Sequence, residues 1–343
     1  MKTAQYIASI AAAAFATLLA SAAAQAQTVL NASIWVPPTH PVHAHMMVPW
    51  AEQVAKATEG RVKINILTKA LGGPAQHFDL VRDGVADIMY TIHGYTPGRF
   101  TLTKMAELPF LGDSAEAASV AYWRVYQKHF ARANEHQGVK VLGLFMHGPG
   151  TIFTRTQPVT KIEDVRRQKF RVGGGVVNDI ATSLEMVALL KPATESYELL
   201  SNGVVDGLLF PRESVRSFRL IGLIKHLTVV PGGLYNTSFV MGMNQARFDK
   251  LSPQDQAALM SVSGEAFARL AGRAWDAADA SAIHEFKAAG GTVTEPPAAF
   301  VDDVRKRTAG IEQAWIAEAR AKNVDGAAAL AEFRSEIAAQ SKK

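Results

Sequence analysis

The residue types that carry covalent chemistry are absent or scattered in this chain. It contains no cysteine, which excludes disulfides and thiolate metal sites. No Gly-x-Ser-x-Gly elbow, His-Glu-x-x-His pair, P-loop or Gly-x-Gly-x-x-Gly loop occurs. Gly173-Gly174-Gly175 has the wrong spacing for a dinucleotide loop. These patterns weaken an enzymatic reading, and no cofactor is expected. His40, His43 and His45 form the densest histidine cluster. Imidazoles can hold zinc or nickel, but side chains two apart on a helix point different ways. No cysteine or nearby carboxylate completes a shell. A loop running into a solvated helix start is favoured over a metal site.

Arg171 is the strongest single candidate. It lies in a short strand-like segment, Lys169-Phe170-Arg171-Val172, that runs into the glycine triplet and then a helical stretch. Ligands in open α/β folds sit beyond the carboxyl ends of strands. A glycine turn at a helix start exposes backbone N–H groups to an anion, and a guanidinium matches a carboxylate with two parallel hydrogen bonds. A surface ion pair with purely turn-forming glycines fits the same pattern, and pattern alone does not separate the two. Trp35 and Phe210 end apolar runs just ahead of Pro37 and Pro211. His93 and Tyr95 follow the run at 86–91, and His147 stands between the run at 139–145 and Gly148-Pro149-Gly150. Taken singly, each reads as core, although clefts between domains are lined mainly by such residues with a few polar anchors. Thr151, Glu213 and Asn236 are further polar candidates near strand ends.

These residues hang on short apolar runs alternating with amphipathic stretches. Strands are expected at 29–35, 62–67 and 86–91, the second with strict alternation, and helices at about 42–58 and 75–83 between them. That order predicts an α/β fold with a mostly parallel sheet. The pattern continues with a helix at 114–137 and strands at 139–145, 151–154 and 169–172. Helices at about 178–186 and 195–201 precede strands at 205–209, 227–230 and 238–243. Ser252-Pro253-Gln254-Asp255 is a helix start, with serine as N-cap and proline in the first turn. No proline interrupts the chain before Gly290-Gly291, so one helix long enough to lie across two domains is expected. Helices at about 298–321 and 327–340 end the chain.

Residues 1–26 read as an export signal. Lys2 precedes an Ala-rich apolar stretch at 7–24, which closes on the small-x-small site Ala24-Gln25-Ala26. Cleavage there leaves 317 of the 343 residues, a two-domain length. It takes the formal charge from +5 to +4 by removing Lys2. Such mild basicity, without a Lys/Arg block, does not point to nucleic acid. A signal without a lipid-anchor cysteine points to a free protein in a Gram-negative periplasm. No later segment is long and apolar enough to span a membrane.

Several segments, taken in order, carry a resemblance. They are Glu59-Gly60-Arg61-Val62, Leu71-Gly72-Gly73, Leu80-Val81-Arg82-Asp83-Gly84-Val85-Ala86-Asp87-Ile88 and Glu107-Leu108-Pro109-Phe110-Leu111. Later come Ile162-Glu163-Asp164-Val165 before the Arg171 strand, Asn202-Gly203-Val204-Val205-Asp206-Gly207, and Met243-Asn244. The chain resembles the solute-binding proteins of TRAP (tripartite ATP-independent periplasmic) transporters, the DctP-like group. The resemblance implies a type II-like periplasmic binding protein whose two α/β domains close around a ligand, braced by a long C-terminal domain-bridging helix. The domains are expected at 27–148 with about 237–275, and at 149–236 with about 276–340. It further implies that Arg171 grips a ligand carboxylate while Trp35 and Phe210 line the cleft from opposite sides. Loaded protein, expected as a monomer, would deliver solute to a small and a large TRAP membrane subunit driven by an ion gradient. Many sugar-acid binders place a second arginine or polar group near the position of Thr151; here the stretch is Gly148-Pro149-Gly150-Thr151-Ile152. With Trp35, Tyr95 and Phe210 nearby, a monocarboxylate with an apolar or aromatic body is expected, and small hydroxy or keto acids stay open. Competing readings are a periplasmic enzyme using His93 or His147 as base, a metal-capturing protein, and a binding protein that serves a membrane sensor.

Overall fold

The structure is a computed structural model that describes residues 27–342. The export segment at 1–26 lies outside the described residues. Strand β1 (Thr28–Ser33) is followed by a π-helical stretch, Val42–Met47, that runs into α1 (Val48–Ala57). Then come β2 (Val62–Ile66), α2 (His77–Arg82), β3 (Ile88–Ile92), α3 (Ala115–Val125) and β4 (Val139–Met146). A second group holds β5 (Gly150–Thr154), β6 (Lys169–Val172), α4 (Val176–Ser183) and β7 (Val187–Leu190). It continues through α5 (Ser196–Ser201), β8 (Gly207–Pro211), α6 (Ser214–Ser217) and β9 (His226–Thr228). The chain then returns as β10 (Ser238–Asn244), α7 (Gln245–Asp249), α8 (Pro253–Ser261) and α9 (Glu265–Ala288). It ends with β11 (Thr292–Thr294), α10 (Ala298–Ala321) and α11 (Gly326–Gln340).

These strands build two sheets, here called the first and second lobes. The first has the order β2-β1-β3-β10-β4 and the second β11-β9-β5-β8-β6-β7. In β2, Val62 and Ile64 are buried while Lys63 and Asn65 face water, as the alternation requires. Strands β3, β8 and β10 are buried along their whole length, which suits apolar runs in sheet interiors. The first lobe is parallel only at β1–β2 and β1–β3, because β10 runs antiparallel to both β3 and β4. In the second lobe β5 is likewise antiparallel to β8 and β9. Both reversed strands enter their sheet directly after the chain crosses from the other lobe, and the remaining strands of each sheet share one direction, so each lobe is a mostly parallel sheet with a single reversed strand. Strand β7 had no counterpart in the sequence reading. It lies at the sheet edge, half-exposed, just beyond a left-handed turn at Glu185 (φ 60°).

The two crossings lie side by side. Gly150 N–H donates to the Tyr235 carbonyl at 2.8 Å. The Asn236 amide donates to the carbonyls of His147 (2.9 Å) and Gly148 (3.2 Å). A Cβ on Gly150 would stand 2.2 Å from the Tyr235 ring, so only glycine lets the segments approach this closely.

The long C-terminal helix is interrupted. Helix α8 stops at Ser261 and α9 starts at Glu265, with Gly264 between them at φ 60°. Gly264 N–H donates to the Leu142 carbonyl of β4 at 2.6 Å, a bond that a continuous helix would forbid. Helix α9 packs on α3 and β4 and also reaches α6 and β11 in the second lobe. Its Asp276 accepts from the N–H groups of Ala115 (2.7 Å) and Glu116 (3.1 Å), anchoring α9 to the positive end of α3. Helix α10 packs on α4 of the second lobe, and α11 returns to α3 of the first. Among the described residues no helix is long and apolar enough to cross a membrane.

Candidate functional site

Strand β6 is exposed at Lys169 and buried from Phe170 to Val172. Arg171 is therefore carried inward and is only 2 % exposed. Its Nε–H donates to the Lys191 carbonyl at 2.8 Å, and its Nη2 lies 3.5 Å from the Tyr95 hydroxyl. The guanidinium carbon sits 4.4 Å from the centre of the Phe210 ring, a cation–π contact. Among the described residues no carboxylate pairs with it. A buried charge is stable only when paired, so the chemistry of this position calls for an anion.

A closed circuit of rings leads away from Arg171 and back to it. From Phe210 it passes to Phe218 (5.4 Å between centroids), His40 (5.6 Å) and Trp275 (5.8 Å). It returns through Phe239 (5.7 Å), Tyr90 (5.6 Å), Trp35 (5.3 Å) and Tyr95 (5.8 Å). The circuit bounds a cavity with about 430 Å³ of non-atom space, open solvent included, which Arg171 and Trp35 line from different lobes. Trp35 is fixed by donating from Nε1 to the Tyr90 carbonyl at 3.2 Å. The Tyr95 hydroxyl accepts from Ala193 N–H at 2.9 Å, tying the first lobe to the second. Burial raises the Tyr95 pKa, with Arg171 opposing.

The wall remote from Arg171 is polar. Glu213 follows β8 and accepts from the hydroxyls of Ser214 (2.8 Å) and Ser217. Its backbone N–H donates to Asp279 of α9 at 2.8 Å. Burial pushes Glu213 up to about 7 and Asp279 up to about 8. His40 is buried and pushed down to about 3, so its ring is neutral. Nδ1 of His40 accepts from Val42 N–H at 3.2 Å, which places the ring proton on Nε2. That Nε2 lies 3.6 Å from Glu213 Oε1. His147 is also neutral, pushed by burial to about 4. Its Nδ1–H donates to the Gly148 carbonyl, and Nε2 accepts from the Thr237 hydroxyl at 2.8 Å.

Of the residues singled out in the sequence, Arg171, Trp35, Phe210, Tyr95, His147 and Glu213 line this cavity. His93, Thr151 and Asn236 do not. His93 is packed between Ser238 (2.8 Å) and His136 (2.8 Å) behind β10. Thr151 lies opposite Phe210 in the β5–β8 ladder and spends its hydroxyl on the Phe210 carbonyl at 2.9 Å. Asn236 belongs to the crossing described above. The glycine turn also differs from expectation. The N–H of Val176, at the start of α4, donates to Glu107 at 2.9 Å, so the anion at this helix end is internal. Burial holds Glu107 up near 7. The histidine trio is split by burial: His40 faces the cavity, His43 is half-buried and His45 is exposed. Tyr90, Phe239 and Trp275 escaped the sequence reading because aromatics in buried strands and helices look alike whether they pack a core or face a cavity.

A family model described as bacterial extracellular solute-binding protein, family 7 (DctP), matches residues 32–317. The chain belongs to the DctP family. A TRAP periplasmic solute-binding protein from Bordetella bronchiseptica, solved with bound (R)- and (S)-mandelate, is 48 % identical. The match covers 91 % of this chain and 99 % of that one, with a TM-score of 0.90. A TRAP solute-binding protein from Rhodoferax ferrireducens T118, solved with copurified benzoate, is 30 % identical over 92 % of this chain and 99 % of its own, with a TM-score of 0.86. A Comamonas testosteroni protein named outer membrane transporter protein TsaT is 34 % identical over 96 % of this chain and 97 % of its own length. The two-lobed fold with its bent C-terminal helix is thus the architecture of this DctP chain and of its solved relatives, which are solute receptors.

Proposed function

We propose that this chain captures a small monocarboxylate with an aromatic or apolar body and hands it to the membrane subunits of a TRAP transporter. The observation that carries this is Arg171: a buried guanidinium lining an aromatic cavity, with no carboxylate among the described residues paired with it. The ligand carboxylate pairs with the free side of the guanidinium fork. The ring circuit encloses the apolar body, which its aromatic faces suit. Mandelate and benzoate, found in the two solved relatives, have this build. The paired crossings at 147–149 and 229–237 serve as the hinge on which the lobes close. The protein works as a monomer in the periplasm after loss of residues 1–26. It is a receptor, because the lone pair of His147 is held by Thr237 and His93 lies outside the cavity.

A thermal-shift panel tests this reading. Benzoate and either mandelate enantiomer should raise Tm, and uncharged benzamide should not. A ligand that binds only the native state adds about 2.7 kcal/mol at a hundredfold excess over Kd. Equal shifts from benzamide and benzoate, or no shift from any acid, would contradict the assignment.

A further inference from the structure

We propose that the ligand is an aromatic acid bearing a hydroxyl at the end remote from its carboxylate, and that His40 and Glu213 bind this hydroxyl. This rests on Arg171 holding the carboxylate, as proposed above. Between Arg171 and His40 stand the stacked rings of Phe210 and Phe218, so the two polar ends of the cavity are separated by an apolar girdle. A ligand anchored at Arg171 that carried only hydrocarbon would press it against the polar wall.

That wall is incompletely satisfied from within. His40 Nε2–H has a fixed direction, because Nδ1 is held by Val42 N–H. Glu213 Oε1 lies 3.6 Å from that Nε2, too far for a hydrogen bond. A single oxygen placed about 2.8 Å from both atoms closes that gap with two bonds of ordinary length. Trp275 Nε1–H, on the same wall 5.8 Å from His40 by ring centroids, is buried without a hydrogen-bond partner among the described residues. Facing the ionised form of Glu213, the bridging group must accept from His40 and donate to the carboxylate. An ammonium cannot accept and a carboxylate cannot donate, whereas a hydroxyl does both. Ser214 and Ser217 hold the Glu213 carboxyl in place for this contact. Sites built to hydrogen-bond a hydroxyl discriminate strongly against the analogue that lacks it, because their own polar groups are then left unpaired.

The test is calorimetric titration of the wild-type protein and of His40→Phe with matched pairs: benzoate against 3- and 4-hydroxybenzoate, and phenylacetate against 3- and 4-hydroxyphenylacetate. The phenylalanine keeps the ring contacts with Phe218 and Trp275. Wild type should bind at least one hydroxylated acid tenfold or more tightly than its parent. His40→Phe should cut that preference below threefold, a ratio of parent to hydroxylated acid read within the one variant. Parent and hydroxylated acids binding wild type equally would overturn the hydroxyl assignment and leave the carboxylate reading intact. No binding of any of these acids would overturn both. A preference that survives in His40→Phe would remove His40 from the role.

Discussion

Replacing Arg171 removes the charge proposed to hold the ligand carboxylate. In the protein this side chain is 2 % exposed, bonded to the Lys191 carbonyl and stacked on Phe210. Its position is therefore held before any ligand arrives, and little ordering cost is charged to binding. Breaking one partner of a buried, hydrogen-bonded ion pair costs about 3–5 kcal/mol. At about 1.4 kcal/mol per tenfold, Arg171→Ala should weaken benzoate or mandelate binding by roughly two to three and a half orders of magnitude. Micromolar capture corresponds to only about −8 kcal/mol, so the loss removes a third to more than half of it. Arg171→Lys keeps the charge but loses the planar fork and the stacking on Phe210, and should fall between the two. Calorimetry with benzoate, alongside circular dichroism to show that each variant is folded, is the assay. A folded Arg171→Ala protein that binds benzoate within threefold of wild type would refute the reasoning from charge burial.

Other outcomes follow from single contacts. The Glu107 pKa is raised from 4.5 to about 7 by burial, so the unfolded chain ionises first and wild-type stability declines between about pH 4.5 and 7. Glu107→Gln lacks this group, so its stability relative to wild type should improve by up to about 3 kcal/mol over that window; urea unfolding at pH 5 and pH 8 measures it, and identical pH slopes would sink the idea. Gly150→Ala places a methyl 2.2 Å from the Tyr235 ring and should cost about 1–3 kcal/mol or more by overpacking, read from the denaturation midpoint. Asp276→Ala strips the acceptor from Ala115 N–H, Glu116 N–H and the Ser114 hydroxyl and should cost about 1–2 kcal/mol; a loss below a few tenths would show that water replaces the carboxylate.

What the sequence determined by itself was local. The strand at 169–172 appears with the bounds expected of it, and its run into glycines and a helix start put Arg171 at a strand end. Alternation marked β2, and the Ser252 N-cap with its following proline marked the start of α8. Each of these signals is complete within a few residues, because period, capping and turn chemistry act between neighbours. Tertiary structure decided the rest. Gly264 breaks the long helix because the Leu142 carbonyl, far away in the chain, offers its N–H a partner. The glycine turn beside Arg171 looked ready for an anion, and folding brought Glu107 there instead. His40 belonged by sequence to a trio with His43 and His45, but burial separated them and set it against Glu213. Composition cannot tell a buried aromatic that packs a core from one that faces a cavity. That difference lies in the space between two lobes, which exists only once both crossings have brought them together.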